Sequence, residues 1–294
     1  MQTELQLILT PEQAYKQELL HLEIAEKLNI DAKKISTVRV LRKSIDARSV
    51  QPKINLSVQV FYNQKVPEKQ IVNIKYPFVG DNKRAIVVGA GPAGLFAALK
   101  LIRLGMKPVL IERGKEARER KVDIAQLNRN KSIDHESNYC FGEGGAGTFS
   151  DGKLYTRSKK KGNVQQILDT FYFHGADEHV LYDAHPHIGS DNLPLVVENM
   201  RKTILSCGGE FHFGKKLEEL IIENDRIVGA KMNGGEVLKA DALILATGHS
   251  ARDIYEMLYG QGVELESKGF AMGVRVEHPQ SLINNIQYHA KNVS

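Results

Sequence analysis

"AIVVGAGPAG", residues 85–94, decides the fold. Its first four residues, Ala-Ile-Val-Val, are apolar without alternation, as expected of a parallel strand covered on both faces. Three glycines follow, Gly89, Gly91 and Gly94, in the spacing Gly-x-Gly-x-x-Gly. From Pro92 the apolar residues Leu95, Phe96, Leu99, Ile102 and Leu104 recur with helical spacing, and Gly105 is a plausible stop. PVLIE then forms a second buried strand that ends at Glu112. The glycine spacing alone is a weak signal. Strand, helix, second strand and acid in register make a βαβ unit of about 30 residues, the context that gives the glycines meaning.

Each glycine has a separate physical task. The first permits a tight strand-to-helix turn, the second lets backbone approach a pyrophosphate, and the third lets helix and sheet pack closely. The helix N-terminus offers free N–H groups and the positive end of its dipole to phosphate. A carboxylate at Glu112 can accept both ribose hydroxyls of an adenosine and repels a 2′-phosphate, which disfavours NADP. The motif does not by itself separate NAD from FAD.

Working outward, ELQLILT reads as a strand, and Thr10-Pro11 as the N-cap and first position of a helix running to about Lys27. Leu19, Leu20, Leu22, Ile24, Ala25 and Leu28 form its apolar face. A strand at 35–45 and a second from Ile54 follow. In the second, Ile54, Leu56, Val58 and Val60 alternate with Asn55, Ser57 and Gln59, as in a half-buried antiparallel strand. These elements make a small βαββ module over residues 1–78. The stretch KVPEKQIVNIKYPFVGDNKR is a last strand or an extended linker.

Downstream of Glu112, an excursion over about 113–206 carries a charged helix (EARERKVDIAQLNRNK), a glycine-rich segment, and helices near 163–174 and 192–205. GGEFHF, LEELIIE, RIVGAKM and GEVLKAD read as short strands of a meander, and ADALILATG returns as a buried parallel strand. EGGAGTFSDGKL is a second glycine-rich loop, whose N–H groups can form an anion nest or lie against a ring system. The fold class expected is α/β: a Rossmann-like domain over 83–265 with an inserted excursion and β-meander. The α+β module precedes it, and 266–294 is expected to be the start of an incomplete substrate domain.

At GAGPAG, the glutamate of LIERG, the meander and ATG, the sequence resembles the FAD-dependent oxidoreductases of the glutathione-reductase structural type. More narrowly it is similar to a bacterial family of uncharacterised FAD-dependent dehydrogenases. RKSIDAR, FGEGGAGTFSDGKLYTR, HPHIGSDNL, ATGHSARD and GVRVEHP carry that likeness over residues 1–294. The resemblance implies that Gly89, Gly91, Pro92, Ala93 and Gly94 hold the FAD pyrophosphate, and that Glu112, with Arg113 beside it, holds the ribose. It implies that Leu217 presents its backbone to adenine and that Thr247 and Gly248 close over the adenosine side. Gly144, Gly145, Ala146, Gly147 and Thr148 would lie beside the pyrophosphate and flavin. Members of that family are considerably longer, so the chain is expected to be an N-terminal part, with the flavin-ring site incomplete.

The expected function is an FAD-dependent oxidoreductase of undetermined substrate, with NADH as a possible electron donor. No second Gly-x-Gly-x-x-Gly follows a strand, so no separate nicotinamide domain is visible. An alternative stays open: a non-enzymatic FAD-binding module, or one that uses the basic N-terminal domain to bind RNA or a protein. The formal net charge of +5 over 294 residues is read as a solvated surface rather than a nucleic-acid footprint, and RSKKK at 157–161 as an exposed loop. Arg42, Lys43 and Arg48 read as the polar face of a strand. No apolar run approaches the ~20 residues that span a bilayer. Cys140 and Cys207 make neither a disulfide framework nor a CxxC pair, which suits a cytoplasmic setting. His185, His187 and Asp191 match no zinc spacing and are left as pocket or loop residues, and His249 with Ser250 as a helix-cap region. Catalytic residues are not assigned, and no metal is expected.

Overall fold

The computed structural model describes residues 1–49, 51–64, 72–157, 162–274 and 276–288. Residues 65–71 of the linker and 158–161 of the RSKKK run lie outside the described residues.

The chain opens with β1 (Gln2–Leu9), α1 (Pro11–Tyr15), α2 (Gln17–Leu28), β2 (Ile35–Asp46) and β3 (Lys53–Tyr62). Thr10 caps α1 in a full capping box: its hydroxyl accepts from Gln13 N while the Gln13 side chain takes the Thr10 backbone N–H. The single long helix expected here is two. Lys16 leaves helical dihedrals (φ −92°, ψ 112°), α1 fully buries none of its residues, and α2 lays Leu20, Ile24 and Ala25 on the sheet. The sheet is antiparallel in the order β1–β3–β2, and the alternation in β3 sends Ile54, Leu56, Val58 and Val60 into this small core.

The second domain follows with β4 (Arg84–Val88), α3 (Pro92–Arg103), β5 (Lys107–Glu112), α4 (Ala117–Asn130), α5 (Val164–Phe173), α6 (Leu193–Ser206) and β6 (Glu210–Phe213). Then come β7 (Leu217–Glu223), β8 (Arg226–Met232), β9 (Val237–Lys239), β10 (Ala242–Leu245), α7 (Arg252–Gly260) and α8 (Gln280–Tyr288). The central sheet is parallel in the order β10–β4–β5–β6. Along β4 the side chains alternate between two cores. Ala85 and Val87 meet Leu95, Leu99 and Ile102 of α3 and Val196, Met200 and Ile204 of α6. Ile86 and Val88 meet Leu217, Leu220, Ala230 and Met232 of the meander and Ile254 and Leu258 of α7. An α/β doubly covered sheet results, which is why β4 and β5 read as unbroken apolar runs.

Two expectations need correction. EFHF does not belong to the meander: as β6 it pairs in parallel with β5, leaving β7, β8 and β9 as the antiparallel meander. β10 is parallel as expected but only half-buried, because it forms the sheet edge; Leu245 is 38% exposed. The alternating residues Phe270, Met272, Val274 and Val276, which need a sheet to bury that face, form no strand among the described residues of the run, in line with a loosely packed, apolar-exposing end. Without a sheet edge to pair with, it leaves Phe270, Met272 and Val274 more than four-fifths exposed (83%, 85% and 88%).

The linker is extended, not a strand, over 72–79, and it packs on the second domain. Val79 N donates to Cys207 O at 2.8 Å, and Tyr76 meets the Phe173 ring edge-on with centroids 5.7 Å apart. The N-terminal module docks through the free edge of β2. Lys43 N donates to Tyr182 O at 2.9 Å, Ala184 N donates to Lys43 O at 2.8 Å, and the Lys43 ammonium lies 3.1 Å from Asp183. Among the described residues no helix is long and apolar enough to cross a membrane.

Candidate functional site

The three glycines of the first loop do separate jobs. Gly89 has φ +102°, open to glycine at little cost, and a Cβ there would stand 2.5 Å from Ala246 O. Gly94 lies against the carbonyl of Gly89, so any side chain there would collide with backbone. Gly91 is different: a Cβ would meet only Gly145 Cα, at 3.7 Å. Gly91 is also the N-cap of α3 and offers no side chain to cap it. The unpaired N–H groups of the first turn of α3 therefore face the cleft, with Pro92 and Ala93 exposed beside them.

Glu112 is 5% exposed and already accepts three backbone N–H groups. Oε2 takes Ala90 N at 2.8 Å, while Oε1 takes Gly114 N at 2.9 Å and Gly142 N at 3.0 Å. One carboxylate thus ties the first glycine turn, the turn after β5 and the second glycine loop together. With about four acceptor sites per carboxylate, Oε2 has room for one ribose hydroxyl rather than the two expected.

The second loop is organised by a residue that the sequence reading passed over. Arg120, on the charged helix α4, is fully buried. Its Nη1 donates to Glu143 O at 2.9 Å, to Gly145 O at 2.7 Å and to Thr148 Oγ1 at 3.1 Å, while Nε and Nη2 reach Asn138 O and Tyr139 O. Burial pulls its guanidinium pKa down to about 10, against the pull of Glu112, Cys140 and Glu143. Gly142 touches the Arg120 side chain, so a Cβ there would displace the guanidinium. Glu143, also fully buried, accepts from Ala117 N at 2.8 Å and pairs with Arg201 at 2.8 Å. Burial holds its carboxyl above the usual range despite those partners.

These segments enclose a cleft of about 560 Å³, within the usual size of ligand sites. Gly89, Gly91, Pro92, Ala93, Glu112, Arg113, Gly145, Ala146, Gly147, Leu217, Thr247 and Gly248 all line it. Gly94, Gly144 and Thr148 do not. Gly94 faces the β4–α3 turn, and a Cβ on Gly144 would collide with the Thr148 hydroxyl, which is buried and bonded within the loop to Glu143 O and Gly145 O. Leu217, Ala251, Ile254 and Leu258 form an apolar slot at one end. Above it Arg113 and Lys216 grip Asp253 at 2.5 Å and 2.9 Å, and although burial opposes ionisation these two partners hold the Asp253 carboxyl below the usual range.

The remaining candidates are placed as follows. Cys140 and His249 line the cleft, with Ser250. Cys207 is buried against the linker, where its thiol meets Tyr76 O. His185 and His187 sit on an exposed ribbon, and among the described residues no group of histidine, cysteine and acidic side chains is arranged to hold a metal. Lys43 is engaged at the docking edge and Arg48 pairs with Asp46, while Arg42 is exposed.

The cleft suits a dinucleotide: a helix N-terminus without a side-chain cap, a glycine that leaves the approach to it open, an acceptor oxygen at the end of the second strand, and an apolar slot beyond it. Residues 83–275 match the family described as pyridine nucleotide-disulphide oxidoreductase, and residues 1–61 match a domain of unknown function (DUF8436). An uncharacterized protein of Clostridium beijerinckii is 40% identical over 285 residues, which is 92% of this chain and 53% of that protein. The FixC protein of Escherichia coli K12 is 26% identical over 204 residues, 68% of this chain and 45% of FixC. Among solved structures, THI4 of Thermovibrio ammonificans aligns with 61% of this chain and 62% of its own, at 18% identity and a TM-score of 0.41. The chain spans about half the length of the curated relatives it matches.

Proposed function

The chain belongs to the pyridine nucleotide-disulphide oxidoreductase family, and from that premise we propose that it acts as an FAD-dependent oxidoreductase, specifically a dehydrogenase of an organic substrate. FAD is the cofactor of the cleft. One observation carries the reading: segments around residues 90, 112, 145, 216 and 248, far apart in the chain, meet on a single cleft.

When bound, FAD supplies the hydride chemistry, and the chain supplies binding, orientation and electrostatics. The N–H groups of Ala93 and Gly94 and the dipole of α3 take the pyrophosphate, with Gly91 leaving the approach open. Glu112 Oε2 accepts one ribose hydroxyl. Leu217, Ile254 and Leu258 receive the adenine, with Thr247 and Gly248 at its side. Gly145, Ala146 and Gly147 border the pyrophosphate on the way to the flavin ring. Arg113, held by Asp253, stands over the adenosine end.

Within the family, the meander β7–β9 between β6 and β10 supports placing the chain with the glutathione-reductase structural type. The two unpaired cysteines support a cytoplasmic setting.

Ligand released by heat from the purified protein and identified by mass tests the reading. FAD is the expected result. Recovery of NADP without flavin would overturn it.

A further inference from the structure

Residues 151–155 and 185–189 form a short antiparallel ribbon that the cofactor site leaves unused. Lys153 and His187 are partners in it, with Leu154 N donating to Pro186 O at 2.8 Å and Ile188 N to Gly152 O at 3.2 Å. That register sets Tyr155 opposite His185, and their rings lie 4.4 Å apart. The inner face is anchored: Pro186 and Ile188 are buried, Leu154 packs on the core, and a Cβ at Gly152 would stand 3.1 Å from Leu193. The outer face shows Lys153, Tyr155, Arg157, His185 and His187 to solvent. Asp151 closes the row at its far end. Asp151 is the carboxylate of this row, while Asp183 is engaged by Lys43 and Asp177 by His179 at 3.2 Å.

The ribbon is also joined to the cleft. Ser150 Oγ donates to Gly147 O at 2.7 Å and accepts Gly152 N at 3.1 Å, so one side chain links the loop lining the cleft to the first strand of the ribbon. A face that offers two cations and a pair of rings tilted at 42° to each other suits a ligand with matching chemistry. Lys153 and Arg157 supply charge-assisted hydrogen bonds to a carboxylate. Tyr155 and His185 supply surface for a planar π-system at little conformational cost.

We propose that this face is the substrate platform of the protein and that the substrate is a planar anion, an aromatic or conjugated carboxylate. As a substrate site it rests on the flavoenzyme reading above; as a binding surface it does not.

The probe is 2-naphthoate, titrated into the full chain by calorimetry, with neutral 2-naphthamide as control and the flavin content of each sample read by absorbance. Saturable naphthoate binding is expected, with naphthamide at least tenfold weaker. Lys153→Gln and Tyr155→Ala should each weaken naphthoate binding about tenfold and leave flavin content at the wild-type level. The proposal is overturned if naphthoate does not saturate, if naphthamide binds equally, or if Lys153→Gln binds as well as wild type. Loss of flavin from Lys153→Gln also overturns it, since the ribbon would then belong to the cofactor site. A colourless protein that shows the expected naphthoate pattern sinks the flavin reading and keeps the platform.

Discussion

Gly91 and Gly94 are three residues apart and should answer substitution in opposite ways. Gly94→Ala forces a methyl into the Gly89 carbonyl, so the turn must open, and a loss of about 1–3 kcal/mol is expected in denaturant titration. Gly91→Ala meets only an ordinary contact and should stay within about 0.5 kcal/mol of wild type. Gly91→Val should nevertheless abolish flavin retention by filling the approach to the pyrophosphate. Equal flavin per chain in Gly91→Val and wild type would remove this loop from the site. Gly145 combines both effects: with φ +69° and Pro92 Cδ 3.1 Å from a built Cβ, a leucine there costs stability as well as binding. The turn and close-packing roles of Gly89 and Gly94 were legible in the sequence because their spacing encodes backbone geometry. Arg120 was not, because its partners are mostly carbonyl oxygens, which carry no residue identity, and EARERK reads as a solvated face. Arg120→Met strands those carbonyls and should cost about 3 kcal/mol or more. Arg120→Lys should not restore the loss, since one ammonium cannot span the forked set of acceptors.

Helices α5 and α6 are joined by His174, whose Nδ1 lies 2.7 Å from Thr170 O and whose Nε2 lies 3.2 Å from Thr203 Oγ1. Burial lowers its pKa below the ordinary 6.5. The folded state therefore binds this proton less readily than the unfolded chain does. The stability that depends on a neutral His174 is present above pH ~6.5 and declines as the pH falls toward the folded-state value. Melting temperature measured from pH 7.5 to 5 should fall more for wild type than for His174→Gln; parallel curves would contradict this. Element types were largely readable, since α3 announces itself by its helical period and β4 and β5 by unbroken apolar runs. Pairing was less so: EFHF carries the same apolar pattern in a meander or at a parallel edge, and only its β5 neighbour distinguishes them. Nothing in the residue types at 15–17 marks the break between α1 and α2. At the docking edge, Lys43→Met removes the contact with Asp183 but leaves the backbone bonds to Tyr182 and Ala184. Amide exchange at 182–184 should quicken in that variant while exchange in β4 and β5 stays at the wild-type rate.

Among the described residues, the three most exposed large apolar side chains, Phe270, Met272 and Val274, stand in one alternating run with Val276. Exposed alternation of this kind is a template for pairing with another chain. Light scattering should show concentration-dependent association of the chain, and Met272→Lys with Val274→Lys should suppress it; unchanged scattering in the double variant would place the contact elsewhere. The sheet order has a consequence measured in time. β10 lies beside β4, and Arg84 N bonds to the Asp241 carboxylate across 157 residues of chain. During synthesis at about 5–20 residues per second, the first glycine turn waits roughly ten to thirty seconds before Ala246 arrives to back it. In that interval β4, α3 and β5 must hold their shape with one flank of the sheet bare. A ribosome-bound chain caught before β10 emerges is therefore the form most exposed to chaperones, and no cofactor can close on the site until translation has passed α7.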